Sequence, residues 1–488
     1  MMNAKYTLTQ RILCHRTKFC ILNSAFFILL SLQASAQHQE LNDRNEGDTV
    51  VINKKSYIIH KCQKGETVFS IAAKYHVSVN DLDNANKDII NNLKKNTVLL
   101  IPVSKKKEEV KKDEPKMILP KDIIYKIVLL IPFNENKNYT ADSTLANGNF
   151  LNGTLERETT ASLEFYEGVL TAVDFLKMKG FKARLSVIDV FDSASVTKVK
   201  LKTEVKDADI IITNLGQNLA VLLSNYAATD KPVIISCGIN TSASLKGNSN
   251  SFFTSPASLL QCQQMGEYYK KESSKKDKFI SITTSLPKEM ERANAFNNAV
   301  ANDNELTINK VKLDSATQPL KLKVSQFLSK GNNNIIFVPT TDEAFASNVI
   351  SYLKTMSAEF EFTLVGLPTW QYFQSVNPED LQLLHTTIFS AVDISYESSS
   401  VVAFRKSFRD KYFTEPSENA FVGYDAMLFF GEELLSHGIN FSKHLIDKDF
   451  KGLSTSFRFV KEQGSNGFEN NYISVLRFED YALKKINR

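Results

Sequence analysis

The sequence predicts an α/β protein in two parts: a small βααβ module, then a two-lobed, doubly wound α/β domain. Three observations carry this. A compact amphipathic pattern fills residues 57–102, and a charged stretch with two prolines follows it. From Lys126 onward, short β-branched runs alternate with helical patterns.

The chain has 488 residues, with 43% hydrophobic and 23% charged, the profile of a folded globular protein. Its formal net charge is +5, but Lys5, Arg11, Arg16 and Lys18 lie in an N-terminal segment that holds no acids. The remainder is close to neutral, and so no nucleic-acid partner is expected.

Those cations precede the mostly apolar run Ile21–Leu32, and Ala34-Ser35-Ala36 follows. This order reads as a cleavable secretory signal over residues 1–36. The run is short for a bilayer anchor, and no other stretch is apolar enough to span one. The expectation is an exported protein, periplasmic or cell-wall associated, with no membrane span in the mature chain. Cys62, Cys237 and Cys262 remain after cleavage, and a Cys237–Cys262 bridge is left open. With no CxxC and no Cys/His cluster in the sequence, neither a metal nor a cofactor is expected.

Residues 37–56 are polar and acidic and read as a flexible tail. The module spans 57–103. Gly65-Glu66-Thr67 is a turn in which Thr67 can cap a helix, with Val68, Ile71, Ala72 and Tyr75 at i, i+3, i+4 and i+7. Ser78 with Asp81 has the spacing of a capping box opening a second helix, which Val79, Leu82 and Ala85 would bury. Tyr57–His60 and Val98–Ile101 are the flanking strands. Residues 104–124 form a mixed-charge linker that cannot bury enough apolar surface to order itself.

The module resembles a LysM domain over its whole length. The matching residues are the Lys64-Gly65-Glu66-Thr67 turn, Ile71-Ala72 with Tyr75, Val77-Ser78, Leu82, Asn86, Leu93 and Val98–Pro102. Lys87, Asn96 and Cys62 depart from it, standing where the family often has Pro, Gly and Val. The resemblance implies binding of N-acetylglucosamine-containing glycans such as peptidoglycan. The groove it implies lies between Gly65, Glu66, Thr67, Val68 and Phe69 on one side and Asn86, Asp88, Ile89 and Ile90 on the other.

In the large domain, 125–488, the runs 126–133, 183–190, 209–214, 232–236, 279–285, 308–313, 334–339 and 362–367 are nearly unbroken and apolar. That is how strands buried on both faces of a parallel sheet read. Helical patterns at Leu163–Lys177, Ala220–Ala228 and Glu343–Leu353 separate them. The length implies two lobes, roughly 125–255 with 388–440 and 256–387 with 441–488. Residues 456–478 read instead as two strands around a Gly/Asn-rich turn.

Several segments resemble type I periplasmic binding proteins, the branched-chain amino-acid receptors of ABC transporters. They are 126–133 with the helix 164–176, the strand–loop–helix–strand of 209–236, Tyr424-Asp425-Ala426 within 404–430, and the ending 452–469. The resemblance implies a ligand between the lobes. It would touch Gly216, Gln217 and Asn218, then Asn240, Thr241 and Ser242, and from the second lobe Thr341, Asp342 and Trp370. Thr369 stands where an amino-acid receptor would carry an acidic clamp, Asp342 doubles as a helix cap, and Tyr424-Asp425 reads as structural. The long polar loop 134–160 is placed to cover the cleft mouth or to face a partner.

No HExxH, GxSxG, phosphate loop or dinucleotide fingerprint is present, so no catalytic residue is expected. The functional expectation is a non-catalytic peptidoglycan-binding protein whose bilobed domain takes a small polar ligand such as an amino acid or a wall fragment. The alternative is a wall-attached scaffold or regulator of peptidoglycan synthases or hydrolases, with cell-wall enzymes as partners and a degenerate cleft.

Overall fold

A computed structural model describes residues 44–52, 55–64, 66, 68–75, 77, 79–86, 93–103, 123–135, 157–226, 231–236, 249–301, 306, 308–313, 323–446, 448–461 and 467–486. The expected signal at 1–36, the charged run 104–122, Ser78 and most of the 134–160 loop lie outside the described residues. Two compact units result, one holding the small module and the other the α/β domain.

The module is a three-stranded antiparallel sheet, β1 (Thr49–Ile52), β2 (Lys55–Lys61) and β3 (Val98–Pro102), with helices α1 (Val68–Lys74) and α2 (Val79–Ala85). Strand β2 is central, pairing Ile58 with Thr49 on one side and with Ile101 on the other. The first of these pairings corrects the reading of 37–56 as a tail. Thr49-Val50-Val51-Ile52 is a β-branched run with a free strand edge beside it, and it takes that edge. Cys62, Val68, Ile71, Ala72, Val77, Leu82, Leu99 and Ile101 form the core under the helices. Val50, Ile59 and Val98 cluster separately. Asn96 has φ of 71°, a left-handed turn position where the short Asn side chain substitutes for glycine.

Among the described residues the first sheet of the large domain has eight strands. Its parallel strands are β4 (Tyr125–Ile131), β5 (Ala183–Asp189), β6 (Ile210–Thr213), β7 (Val233–Ile235) and β8 (Ser251–Phe253). Helices α3 (Arg157–Met178), α4 (Ser193–Val199) and α5 (Gln217–Tyr226) connect them. Helix α6 (Ser258–Glu272) leads to the second sheet, of seven strands among the described residues. There β9 (Lys278–Thr283), β10 (Ile308–Lys312), β11 (Asn333–Phe337), β12 (Glu361–Gly366) and β13 (Thr387–Ser390) are parallel, with α7 (Pro287–Ala301) and α8 (Glu343–Met356) among the connections.

The helices α9 (Ser399–Tyr412) and α10 (Glu418–His437) follow. Next, β14 (Asp449–Lys451), β15 (Ser456–Val460) and β16 (Phe468–Asn470) extend the first sheet, and β17 (Ser474–Glu479) and β18 (Ala482–Lys485) complete the second, giving the orders β14-β15-β16-β8-β7-β6-β4-β5 and β10-β9-β11-β12-β13-β17-β18. This differs from the expected lobe division. Residues 449–470 lie in the first sheet rather than with the second lobe, and β13 lies in the second rather than the first. The reason is a late return crossing at 471–473, between a hairpin (β15 antiparallel to β16) and a strand belonging to the other sheet.

Close helix packing holds α10 to the first lobe. A Cβ on Gly168 of α3 would lie 1.9 Å from the Ala420 carbonyl oxygen, and one on Gly423 would lie 2.2 Å from that of Phe165. Only glycine at both positions lets the two backbones approach this far.

Candidate functional site

In the module, the expected glycan edge is partly described. Gly65, Thr67, Asp88, Ile89 and Ile90 lie outside the described residues, as does the side chain of Phe69. Val68 is 4% exposed and belongs to the core. Asn86 is buried, and its side chain is spent on the fold. Its Nδ2 donates to the carbonyls of Leu82 (2.8 Å) and Leu100 (2.7 Å), and its Oδ1 accepts from Leu100 N (2.8 Å), tying α2 to β3. An asparagine can supply donor and acceptor together, which accounts for that residue at this position.

Glu66 turns back toward β2. Its Oε2 accepts from Gln63 N at 2.7 Å and lies 2.8 Å from His60 Nε2. The other ring nitrogen, Nδ1, faces the Tyr75 hydroxyl at 3.0 Å and Glu46 Oε1 at 3.3 Å. Burial works against the Glu66 carboxylate, but the hydrogen bonds from Gln63 and His60 outweigh it, and its pKa falls below the ordinary carboxylate value. Burial, with Glu66 nearby, pushes the Cys62 thiol up to about 11. This His60 network is absent from the sequence reading. Its signal was the His-x-Cys pair on alternate strand positions, followed by the acidic turn residue.

In the large domain, Gly216 immediately precedes α5, and its carbonyl accepts the first helical bond, from Ala220 N at 3.0 Å. Gln217 is half-buried, and Gly216 and Asn218 are exposed. This helix start, at the carboxyl end of β6, lies where a polar ligand would meet backbone N–H groups. Asn240, Thr241, Ser242 and Cys237 lie outside the described residues. Cys262 is a free, buried thiol, pushed up to about 12 by desolvation.

From the second lobe, Thr341 and Asp342 are exposed. Asp342 is the N-cap of α8: its Oδ1 accepts from Phe345 N at 3.1 Å, and its own N–H donates to Thr340 Oγ1 at 3.0 Å. Trp370 is 1% exposed and sits inside the second core. Its indole N–H donates to the Thr340 carbonyl at 2.9 Å, and its ring stacks on Phe373. A Cβ on Gly366 would come within 2.4 Å of that ring, so the glycine makes room for it. A buried indole with its donor satisfied has no face left for a ligand.

Asp425 is structural, as the sequence suggested. Fully buried, it accepts from the backbone N–H groups of Leu453, Ser454 and Thr455 and from the Ser454 hydroxyl. Burial raises its pKa to about 6 against those four donors. The held loop pairs with the crossover after β13, through Asp393 N to Ser454 O at 2.7 Å. Two further features went unread in the sequence. The Tyr372 hydroxyl, beyond β12, donates to Glu418 Oε2 of α10 at 2.7 Å, joining the two lobes. A cavity of about 930 Å³ opens beside the 471–473 crossover, lined among others by Gln264, Tyr268, Phe389, Arg458, Asn471 and Tyr472. None of the expected cleft residues lines it.

A stretch of the small module is matched by a family model, that of the LysM domain. Residues 60–102 are a LysM domain. No curated protein matches the chain. Among solved structures, a putative branched-chain amino acid ABC transporter from Rhodospirillum rubrum is 11% identical, with 75% of this chain and 100% of that one covered at a TM-score of 0.55. A branched chain amino acid ABC transporter periplasmic ligand-binding protein from Burkholderia xenovorans is 12% identical, with 74% and 94% covered at 0.52. An ABC transporter substrate-binding protein from Desulfitobacterium hafniense is 17% identical, with 75% and 100% covered at 0.50. Beyond the LysM domain, then, the chain has the mixed α/β, two-lobed fold of the type I periplasmic binding proteins. Among the described residues, no helix is long and apolar enough to cross a membrane.

Proposed function

We propose that this is an exported, non-catalytic binding protein. Its LysM domain holds peptidoglycan or another N-acetylglucosamine-containing glycan, and its bilobed domain closes on a small polar ligand such as an amino acid or a wall fragment. The LysM match at 60–102 carries this reading. The two-lobed fold supports the second half of it, because open α/β sheets take ligands at the carboxyl ends of their strands. Non-catalytic action is supported by two folds that ordinarily bind rather than transform.

One observation favours a second reading. Asp342 and Trp370 are both engaged within the fold, which leaves the second-lobe side of the cleft with few of its expected contacts. A scaffold or regulator of wall-building or wall-cleaving enzymes needs none of them. Co-sedimentation with purified peptidoglycan sacculi tests the glycan half, and a chain that stays in the supernatant refutes it. A thermal-shift screen with amino acids and muropeptides separates the two readings of the large domain. A true ligand at a hundred times its Kd adds about 2.7 kcal/mol to the native state. No shift, with wall enzymes co-purifying, establishes the scaffold.

A further inference from the structure

We propose that His60, Cys62 and Glu66 form a divalent transition-metal site, suited to zinc, that ties Glu66 to β2. His60 of β2 and Cys62, one residue past its end and still paired to Thr97, lie two residues apart and are both buried. Glu66 comes back to them from the turn, placing its Oε2 2.8 Å from His60 Nε2. One ligand atom from each residue lies within 4.8 Å of the other two. Donors around a tetrahedral zinc are roughly 3.3–3.7 Å apart, given metal–ligand bonds of about 2.0–2.3 Å. The three side chains therefore need only small rotations to enclose an ion.

The surroundings pair two carboxylates with one competing cation: Lys74 Nζ lies 3.6 Å from Glu46 Oε1 and 3.7 Å from Glu66 Oε1, and a bound ion shares or displaces it. His60 and Cys62 are 0% and 1% exposed, so their donors face little competing water. His60 Nδ1 is held by the Tyr75 hydroxyl and lies near the Glu46 carboxylate. An outer partner of this kind fixes a metal-ligating imidazole with its other nitrogen turned inward. A thiolate, an imidazole and a carboxylate together favour zinc over magnesium or calcium, which prefer all-oxygen sites. The charges also close. Thiolate and carboxylate neutralise the ion, Cys62 releases one proton to solvent, and the imidazole keeps its single proton on Nδ1. Three protein ligands leave the fourth position to water.

The consequence for function rests on the glycan reading, since Glu66 is one residue of the implied sugar groove. The test does not rest on it. The reduced full-length chain is titrated with Co²⁺, and a thiolate-to-cobalt charge-transfer band is expected to saturate at one equivalent and to be displaced by Zn²⁺. Cys62→Val fills the same apolar cluster and is expected to keep the far-ultraviolet spectrum while abolishing the band. Glu66→Gln is expected to weaken Zn²⁺ binding at least tenfold. No band in the parent chain, or a band that persists in Cys62→Val, overturns the site. Sacculus binding, measured with Zn²⁺ and with chelator, is read separately. Metal uptake without glycan retention sinks the LysM function and leaves the site standing, and glycan retention without metal uptake does the reverse.

Discussion

Polar side chains carry different weight in the two units. In the LysM domain, His60 and Asn86 lie inside, at 0% and 4% exposure, and they join β2 to the turn and α2 to β3. In the large domain buried polar residues such as Asp425, Asn470 and Asn334 are also fully bonded, but they are set within two extensive aliphatic and aromatic sheet cores that supply most of the packing. Size accounts for the contrast. A module with a core of only a few side chains gains little from burial alone, and directional hydrogen bonds must fix its layers. A large parallel sheet is fixed mainly by its ladders and its apolar faces, so each polar tie, such as Asn334 to the Glu361 carbonyl, carries a smaller share of the total.

The comparison is broken most directly at Trp370. If the large domain depends on its apolar core, Trp370→Ala should cost about 3–5 kcal/mol, the range for emptying a buried aromatic site. Urea denaturation followed by the large domain's own transition measures this. A loss below about 1 kcal/mol would mean that the indole is not the packing element its burial and its bond to Thr340 indicate.

Asn86→Ala probes the module. It removes three hydrogen bonds and leaves the Leu100 N–H and carbonyl without partners, at a cost of about 2–3 kcal/mol. A small core rarely supplies more than about 3–5 kcal/mol in total. The expected outcome is therefore a module that unfolds, with loss of sacculus binding, while the large domain's transition stays where it was. Amide exchange over residues 55–103 reads the first effect and the denaturation curve the second. Glycan retention with an intact module would place Asn86 outside the structure-holding set.

What the sequence showed and hid follows the same division. The strands at 126–133, 209–214 and 334–339 were legible because burial on both faces leaves an unbroken apolar run, and that signal is local. The module was legible because its turn and helix residues recur in order. The late return of the chain at 471–473 was hidden, since a hairpin's sequence does not say which sheet its next strand will join. Trp370 looked like a ligand platform because tryptophan at a strand end is chemically suited to one. Its burial depends on Gly366, four residues earlier, a close approach that no residue pattern announces. His60 and Glu66 meet only through the reach of a turn, which spacing alone does not specify.

The smallest expected effect lies at Asp342, where cap and ligand contact make different predictions. As the N-cap of α8, its loss in Asp342→Ala should cost about 1 kcal/mol and no more, because one bond to Phe345 N–H disappears while the helix keeps its buried face against the second core. Asp342→Asn retains a capping oxygen and should restore most of that stability. A ligand contact behaves otherwise. An ammonium group held by the carboxylate would lose its charge partner in both variants, and the midpoint rise given by an amino acid in the parent chain would vanish from Asn as well as Ala. Stability recovered in Asp342→Asn, with any ligand response unchanged, assigns the residue to the fold. Stability unaffected in both, with the response lost in both, returns it to the cleft.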